Sequence, residues 1–327
     1  MQAEFAGYWG ARAITATQSA QFLFSLPVIS GTLAAVGIRS GSGCRPGRYR
    51  LKDISRAENL REDQQLTRII AVTNQKGGVG KTTVSVNLSA GLARHLPQAR
   101  ILLVDADPQA NATAVFLGIA FAAGPRQPQV NTIYELIVQQ IPPVQAIQTI
   151  PLNNSTTRLD ILPAHLDLAS AELELVNIFE RERRLHRALA PLVDQYDFII
   201  IDCPPSLSLL TINALMAASE VLIPVDPGVF PIIGLNLLNR TIEMVRQANP
   251  ALRIMGVIPA LQDRTALARD TEDQLNEAFG PLLMPPIPRR VAIGEAHAAG
   301  MDIFAYQPGS DSAQAFQQLI EEVIQRG

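Results

Sequence analysis

With 327 residues and 47% hydrophobic content, the chain is long enough to bury a complete α/β core. A formal net charge of −3 excludes a protein that holds nucleic acid by bulk positive charge, although local basic patches escape that sum. Two cysteines, Cys44 and Cys203, exclude a disulfide framework and a cysteine-ligated metal centre, and suit a reducing compartment.

Residues 1–66 stand apart from the rest. No charge falls between Arg12 and Arg39, and Phe22-Leu23-Phe24-Ser25-Leu26 opens an apolar stretch. Pro27, Ser30, Gly31 and Thr32 dilute it below the about 20 predominantly apolar residues of a spanning helix, so no stable membrane insertion is expected. Arg39, Arg45, Arg48, Arg50 and Lys52 follow among glycines and serines. This head reads as a flexible or non-native extension; a basic arm that touches an anionic surface is the other reading. The core domain is expected over 67–327.

Arg68-Ile69-Ile70-Ala71-Val72-Thr73 is a short β-branched run, as in a buried parallel strand. Next comes Gln75-Lys76-Gly77-Gly78-Val79-Gly80-Lys81-Thr82-Thr83, then Val84, Leu88, Leu92 and Leu96 at helical spacing, with Pro97 as a stop. Strand, glycine loop and helix in that order make a phosphate cradle. Glycines let backbone N–H groups turn toward phosphate oxygens, and the helix aims its positive end at them. Lys81 supplies a charge for the β- and γ-phosphates, and Thr82 a hard oxygen for Mg²⁺. Gln75 stands where this pattern usually opens with glycine, and Lys76 is one lysine more than a plain phosphate loop requires.

Ile101-Leu102-Leu103-Val104 is a second buried-strand run, leading into Asp105-Ala106-Asp107-Pro108-Gln109-Ala110-Asn111. Carboxylates just past a parallel strand sit where open α/β sheets bind ligands. One suits a metal shell and another an attacking water. Asp197-Phe198-Ile199-Ile200-Ile201 ends in Asp202, the Walker B pattern, and Val221-Leu222-Ile223-Pro224-Val225 is a further strand. Helical patterns over 206–217, 232–248, 266–279 and 309–325 alternate with these runs. The expected fold is α/β, a doubly wound and mostly parallel sheet. Phe316, Leu319, Ile320, Val323 and Ile324 form a stripe on the last helix; Glu321 and Glu322 flank it and only Arg326 is basic, so it reads as core-facing.

These motifs resemble those of ParA-type partition ATPases, the P-loop NTPases with the deviant Walker A loop. Thr132-Ile133-Tyr134-Glu135-Leu136, Ile161-Leu162-Pro163-Ala164, Asp263-Arg264-Thr265 and the tail from Ile287-Pro288-Arg289 to Ala313-Gln314-Ala315-Phe316 look like family blocks, so the likeness covers about residues 67–325. The resemblance implies ATP and Mg²⁺ as cofactors. It makes Lys76 the residue that reaches the partner subunit's ATP, Lys81 the phosphate-loop lysine and Asp107 the holder of the hydrolytic water. Gly77, Gly78, Val79, Gly80 and Thr83 would line the phosphates, Thr82 would ligate Mg²⁺, and Asp105 and Asp202 would belong to the metal's outer shell through water.

The resemblance further implies a homodimer with ATP sandwiched between subunits, nonspecific DNA binding through Arg264, Arg289 and Arg290, a ParB-like adaptor that stimulates hydrolysis, and a cytoplasmic, nucleoid-associated place. Two departures stand out: Gly228 where relatives often carry an acid, and Ala292 where relatives use an arginine on DNA. A MinD-like membrane switch is the alternative, and it would need a basic membrane-targeting helix at the C-terminus. The related nitrogenase iron protein needs two cluster cysteines per subunit, which this chain lacks in its core.

Overall fold

The apolar runs form a sheet whose order is β3-β4-β2-β5-β1-β6-β7-β8 in a computed structural model. It describes residues 67–327 apart from 128, 153–157, 227–230 and 263–265. The expectations about the head, Cys44, Gly228 and Arg264 therefore lie outside the described residues. The strands are β1 (Arg68–Val72), β2 (Ile101–Asp105), β3 (Gln148–Pro151), β4 (Arg158–Leu162), β5 (Phe198–Asp202), β6 (Glu220–Val225), β7 (Arg253–Gln262) and β8 (Ile287–Pro288). Neighbours pair in parallel except β3 with β4. The chain leaves β1 for β2 on one side, and later leaves β5 for β6 on the other. That reversal opens a crevice at the strands' C-terminal ends beside β1, where ligands bind in such sheets.

Both faces of the sheet are covered, which explains why the central strands are apolar throughout. Ile69 and Ala71 pack into one layer with α4 (Leu168–Leu175), α5 (Arg184–Leu189), α6 (Leu209–Ala217) and α7 (Pro231–Arg246). Ile70 and Val72 pack into the other, with α1 (Lys81–His95), α9 (Val291–Ala298), α10 (Ile303–Tyr306) and α11 (Asp311–Gln325). The remaining α-helices among the described residues are α2 (Asn111–Leu117), α3 (Ile119–Ala123) and α8 (Ala266–Phe279). The period-two alternation of strand side chains makes this division.

Two helix starts lie later than the sequence pattern. The pattern over 206–217 becomes helical only at Leu209, after the extended Ser208. At the C-terminus, Ser310 accepts from the Ala313 N–H at 3.2 Å, so α11 starts at Asp311. Its stripe lies in the core as expected: Phe316, Leu319, Ile320 and Val323 are fully buried. Phe316→Ala should therefore lower the free energy of unfolding by about 3–5 kcal/mol, read as a shifted urea midpoint at unchanged slope. No helix among the described residues is long and apolar enough to cross a membrane.

Candidate functional site

The crevice beside β1 is lined by the loop 73–80, which carries the backbone of the site. Gly78 and Gly80 have φ of +74° and +89°, a region closed to most side chains, and Gly80 hands the chain directly into α1. The loop is also tied to its neighbour strand. Asn74 Nδ2 donates to the Pro224 carbonyl at 2.7 Å, and Asn74 Oδ1 accepts the Lys76 N–H at 3.1 Å.

The two lysines point different ways. Lys81 is buried, and its Nζ donates to the Lys76 carbonyl at 3.1 Å across the curl of the loop. Burial pulls its pKa below the ordinary lysine value, against the opposing charges of Asp202 and Asp107. The Lys76 side chain is 60% exposed and its Nζ sits 2.8 Å from Asp226 Oδ2, just past β6. Arg289 approaches the other oxygen of Asp226 at 3.8 Å.

Three carboxylates lie beside the loop, at the ends of β2 and β5. Asp105 and Asp202 end adjacent strands at the same level of the sheet. Both are fully buried, and burial holds both pKa values above the ordinary carboxylate range, with mutual repulsion acting strongly on Asp202. Asp202 Oδ1 accepts the Ser85 hydroxyl at 2.9 Å, while its Oδ2 is buried with no hydrogen-bond partner. Asp107 is nearly buried; burial raises its pKa and the Lys81 charge opposes that rise.

The donor set fits a hard divalent cation. Asp202 Oδ2 is buried with no well-formed hydrogen bond, and the Thr82 hydroxyl lies near enough to that carboxylate to lower its pKa, while among the described residues no cluster of three or more His, Cys, Asp or Glu side chains could hold a metal alone. Mg²⁺ in phosphate sites needs only one or two protein oxygens, the rest coming from phosphate and water. Thr82 and Asp202 are the residues that would hold it, and it would supply positive charge to the phosphate oxygens.

The buried acids make a pH prediction. A carboxylate whose folded pKa lies above its unfolded one leaves the folded state with more bound protons, so stability falls as pH rises through that window and the penalty is complete above it. Without nucleotide or Mg²⁺, the melting temperature should fall between about pH 4 and pH 8, from the ordinary carboxylate value to the raised values of Asp105 and Asp202, and Asp202→Asn should flatten the slope, as measured by thermal unfolding in EDTA.

The arginines do not form one group. Arg253 begins β7, and its Nη2 reaches Glu220 at 2.5 Å; Arg246 donates to the Leu252 carbonyl at 2.8 Å. Both lie at the N-terminal end of the parallel strands, opposite the crevice. Arg289 and Arg290 follow β8 at the crevice end, where Arg290 Nε pairs with Asp311 at 2.7 Å. Ala292, in the first turn of α9, is partly buried against the core. Cys203 is fully buried, and burial pushes its thiol pKa up, as for a small structural residue.

Sequence reasoning missed Asp226, Ser85 and Thr113. Asp226 carried the same signal that picked out Asp105 and Asp202, an acid at the end of an apolar run. Ser85 and Thr113 are neutral hydroxyls whose partners lie on other strands, a relation no local pattern carries.

Comparison with known proteins places this geometry. The family described as an AAA domain matches residues 67–254. The sporulation initiation inhibitor protein Soj of Bacillus subtilis is 43% identical over 263 residues, covering 80% of this chain and 99% of that protein. The chromosome partitioning protein ParA of Myxococcus xanthus is 40% identical over 263 residues, covering 79% of this chain and 88% of that one. Among solved structures, cobyrinic acid a,c-diamide synthase from Mycobacterium smegmatis with bound ADP and magnesium is similar with a TM-score of 0.64 and 34% identity, over 79% of this chain and 94% of that one.

Proposed function

The chain belongs to the Soj/ParA family of P-loop ATPases, and from that membership we propose that ATP switches it between a monomer and a DNA-binding sandwich dimer. It is an ATP hydrolase that uses Mg²⁺. In the proposed cycle, two subunits close face to face over two ATP molecules, each lending Lys76 to its partner's phosphates. The closed dimer binds DNA without regard to sequence; hydrolysis dissolves it and lets the DNA go. A ParB-like adaptor times that step, and the cargo is a plasmid, a chromosome region or another large intracellular body. The place of action is the cytoplasm, on the nucleoid.

The observation that carries this reading is the direction of Lys76. Lys81 already fills the interior of the loop, while Lys76 stands exposed on the rim with its ammonium held by a single carboxylate. A long, hydrated, flexible cation on the rim is suited to serve a second subunit. ATP can drive the switch only by binding the dimer more tightly than the monomer, and a shared lysine supplies that difference.

Within this cycle Lys81 and the loop amides hold the phosphates, and Asp107 orients the attacking water. Arg289 and Arg290, with Arg264 outside the described residues, are the proposed DNA contacts. Arginines of this kind track phosphates and carry no base readout.

The test is DNA binding with ADP, with ATP and with a non-hydrolysable analogue, across a salt series. Binding should appear only with ATP or the analogue and weaken steeply with salt. Equal binding in all three states would overturn the switch. Binding to anionic liposomes and not to DNA would favour the MinD-like alternative, which the burial of the α11 stripe argues against.

A further inference from the structure

Thr113, in the first turn of α2, joins three parts of the chain. Its backbone N–H and its hydroxyl both donate to Asp105 Oδ2, at 2.8 Å and 2.7 Å. The same hydroxyl oxygen accepts the Ala164 N–H at 2.9 Å. Thr113, Asp105 and Ala164 are fully buried.

Asp105 passes this restraint on. Its other oxygen accepts the Asp107 N–H at 3.2 Å, so one carboxylate is held by Thr113 on one side and holds the Asp107 backbone on the other. Asp107 Oδ1 in turn accepts the Gln109 N–H at 2.9 Å, and Ala110 turns the chain back with a φ of 53°. The segment between β2 and α2 is therefore closed on itself at both ends of Asp105.

Ala164 is a firm anchor because the loop after β4 is pinned independently. The Pro163 carbonyl accepts the Ile133 N–H at 2.9 Å, His165 Nε2 contacts the Gly124 carbonyl at 3.0 Å, and the Leu166 N–H donates to the Ala122 carbonyl at 3.2 Å. The β4 loop thus fixes Thr113, Thr113 fixes Asp105, and Asp105 fixes Asp107.

We infer that Thr113 is a positioning residue for ATP hydrolysis: its hydroxyl, strung between Asp105 and the Ala164 amide, sets where Asp107 stands over the phosphate crevice. This rests on the assignment of Asp107 to the hydrolytic water made above. Asp105, with three donors on its two oxygens, acts chiefly as the strut in this chain. Because Asp105 and Asp107 belong to the end of β2 while the phosphate-loop amides follow β1, loss of the strut should slow the chemical step and spare nucleotide binding.

Thr113→Val keeps the shape and removes the hydroxyl; Thr113→Ser keeps the hydroxyl. The valine variant should lose about 10- to 100-fold in kcat, as for other outer-shell groups, with the Kd for Mg²⁺–ADP and the KM for ATP within about twofold of the parent. The serine variant should recover most of kcat. Should valine prevent folding, Thr113→Cys carries the same reading, being of serine's size with a poor donor.

A role in stability alone predicts a lower melting temperature with kcat per folded molecule unchanged, and that result overturns the inference. So does a loss of kcat matched by an equal loss of nucleotide affinity. Asp107→Ala measured alongside separates the two levels of the argument. If it keeps full kcat, the assignment of Asp107 fails; if it loses kcat while Thr113→Val does not, only the inference about Thr113 fails.

Discussion

Lys76→Ala is expected to abolish ATP-dependent dimerisation and to cut ATP hydrolysis by about 10²–10³-fold, the cost of one charge donor at the transition state. Binding of ADP to the monomer should change little, because Lys76 points out of its own loop and Lys81 points in. Sedimentation with a non-hydrolysable analogue reads the first effect and equilibrium titration with ADP the second. A general collapse of the loop would lower both together, so their separation is informative. Asp226 adds a direction to this prediction. It holds Lys76 at 2.8 Å within the subunit, and that contact must break before the lysine can serve a partner. Lys76 is 60% exposed, so solvent screens the pair, the opposition is small, and the change expected is in the ATP concentration needed for dimerisation.

Asp107→Ala is expected to lower kcat by about 10²–10⁴-fold, the range for losing a group that orients or deprotonates the nucleophile. It should leave ATP binding and dimerisation in place, giving a dimer that closes and does not reopen. The separation of effects follows from position. Asp107 lies past β2, while the phosphate-binding amides belong to the loop after β1, so each can be removed without the other. Single-turnover kinetics on preformed dimer would report the chemical step alone. A proportional loss of ATP affinity would move Asp107 from the water to the phosphates.

Much of the fold was legible because its signals are local. β1, the glycine loop and α1 follow one another without interruption, and β2, β5 and β6 are short β-branched runs that need burial on both faces. The stripe from Phe316 to Val323 read as core-facing, since a helix with two glutamates and one basic residue beside its stripe suits a protein interior better than a lipid surface. What escaped was pairwise and distant. β3 is a short edge strand that alternates partly buried and exposed residues, and its antiparallel pairing with β4 has no motif. β8 is only two residues long and is recognisable only from its place beside β7.

The candidate site divides in the same way. Lys76, Lys81, Thr82, Asp105, Asp107 and Asp202 could be named as candidates because each stands in a motif or at a strand end. The restraints that fix them were not, because Ser85 reaches Asp202 and Thr113 reaches Ala164 across intervals of 117 and 51 residues. The placement of the arginines was no more legible. Arg246, Arg253, Arg289 and Arg290 are near in sequence terms, yet the sheet sends the first two to one end and the last two to the other.

Mixing the two inactive variants tests the shared-lysine dimer most directly. A subunit carrying Lys76→Ala retains its own Asp107, and a subunit carrying Asp107→Ala retains a Lys76 to lend. In a mixed two-fold dimer, one of the two sites is then complete. Equimolar mixing should give ATP hydrolysis well above the sum of the two variants measured apart, because each mixed dimer has one working site. If the mixture hydrolyses ATP no faster than the two variants do separately, although mixed dimers form, Lys76 does not act across the interface and the account fails.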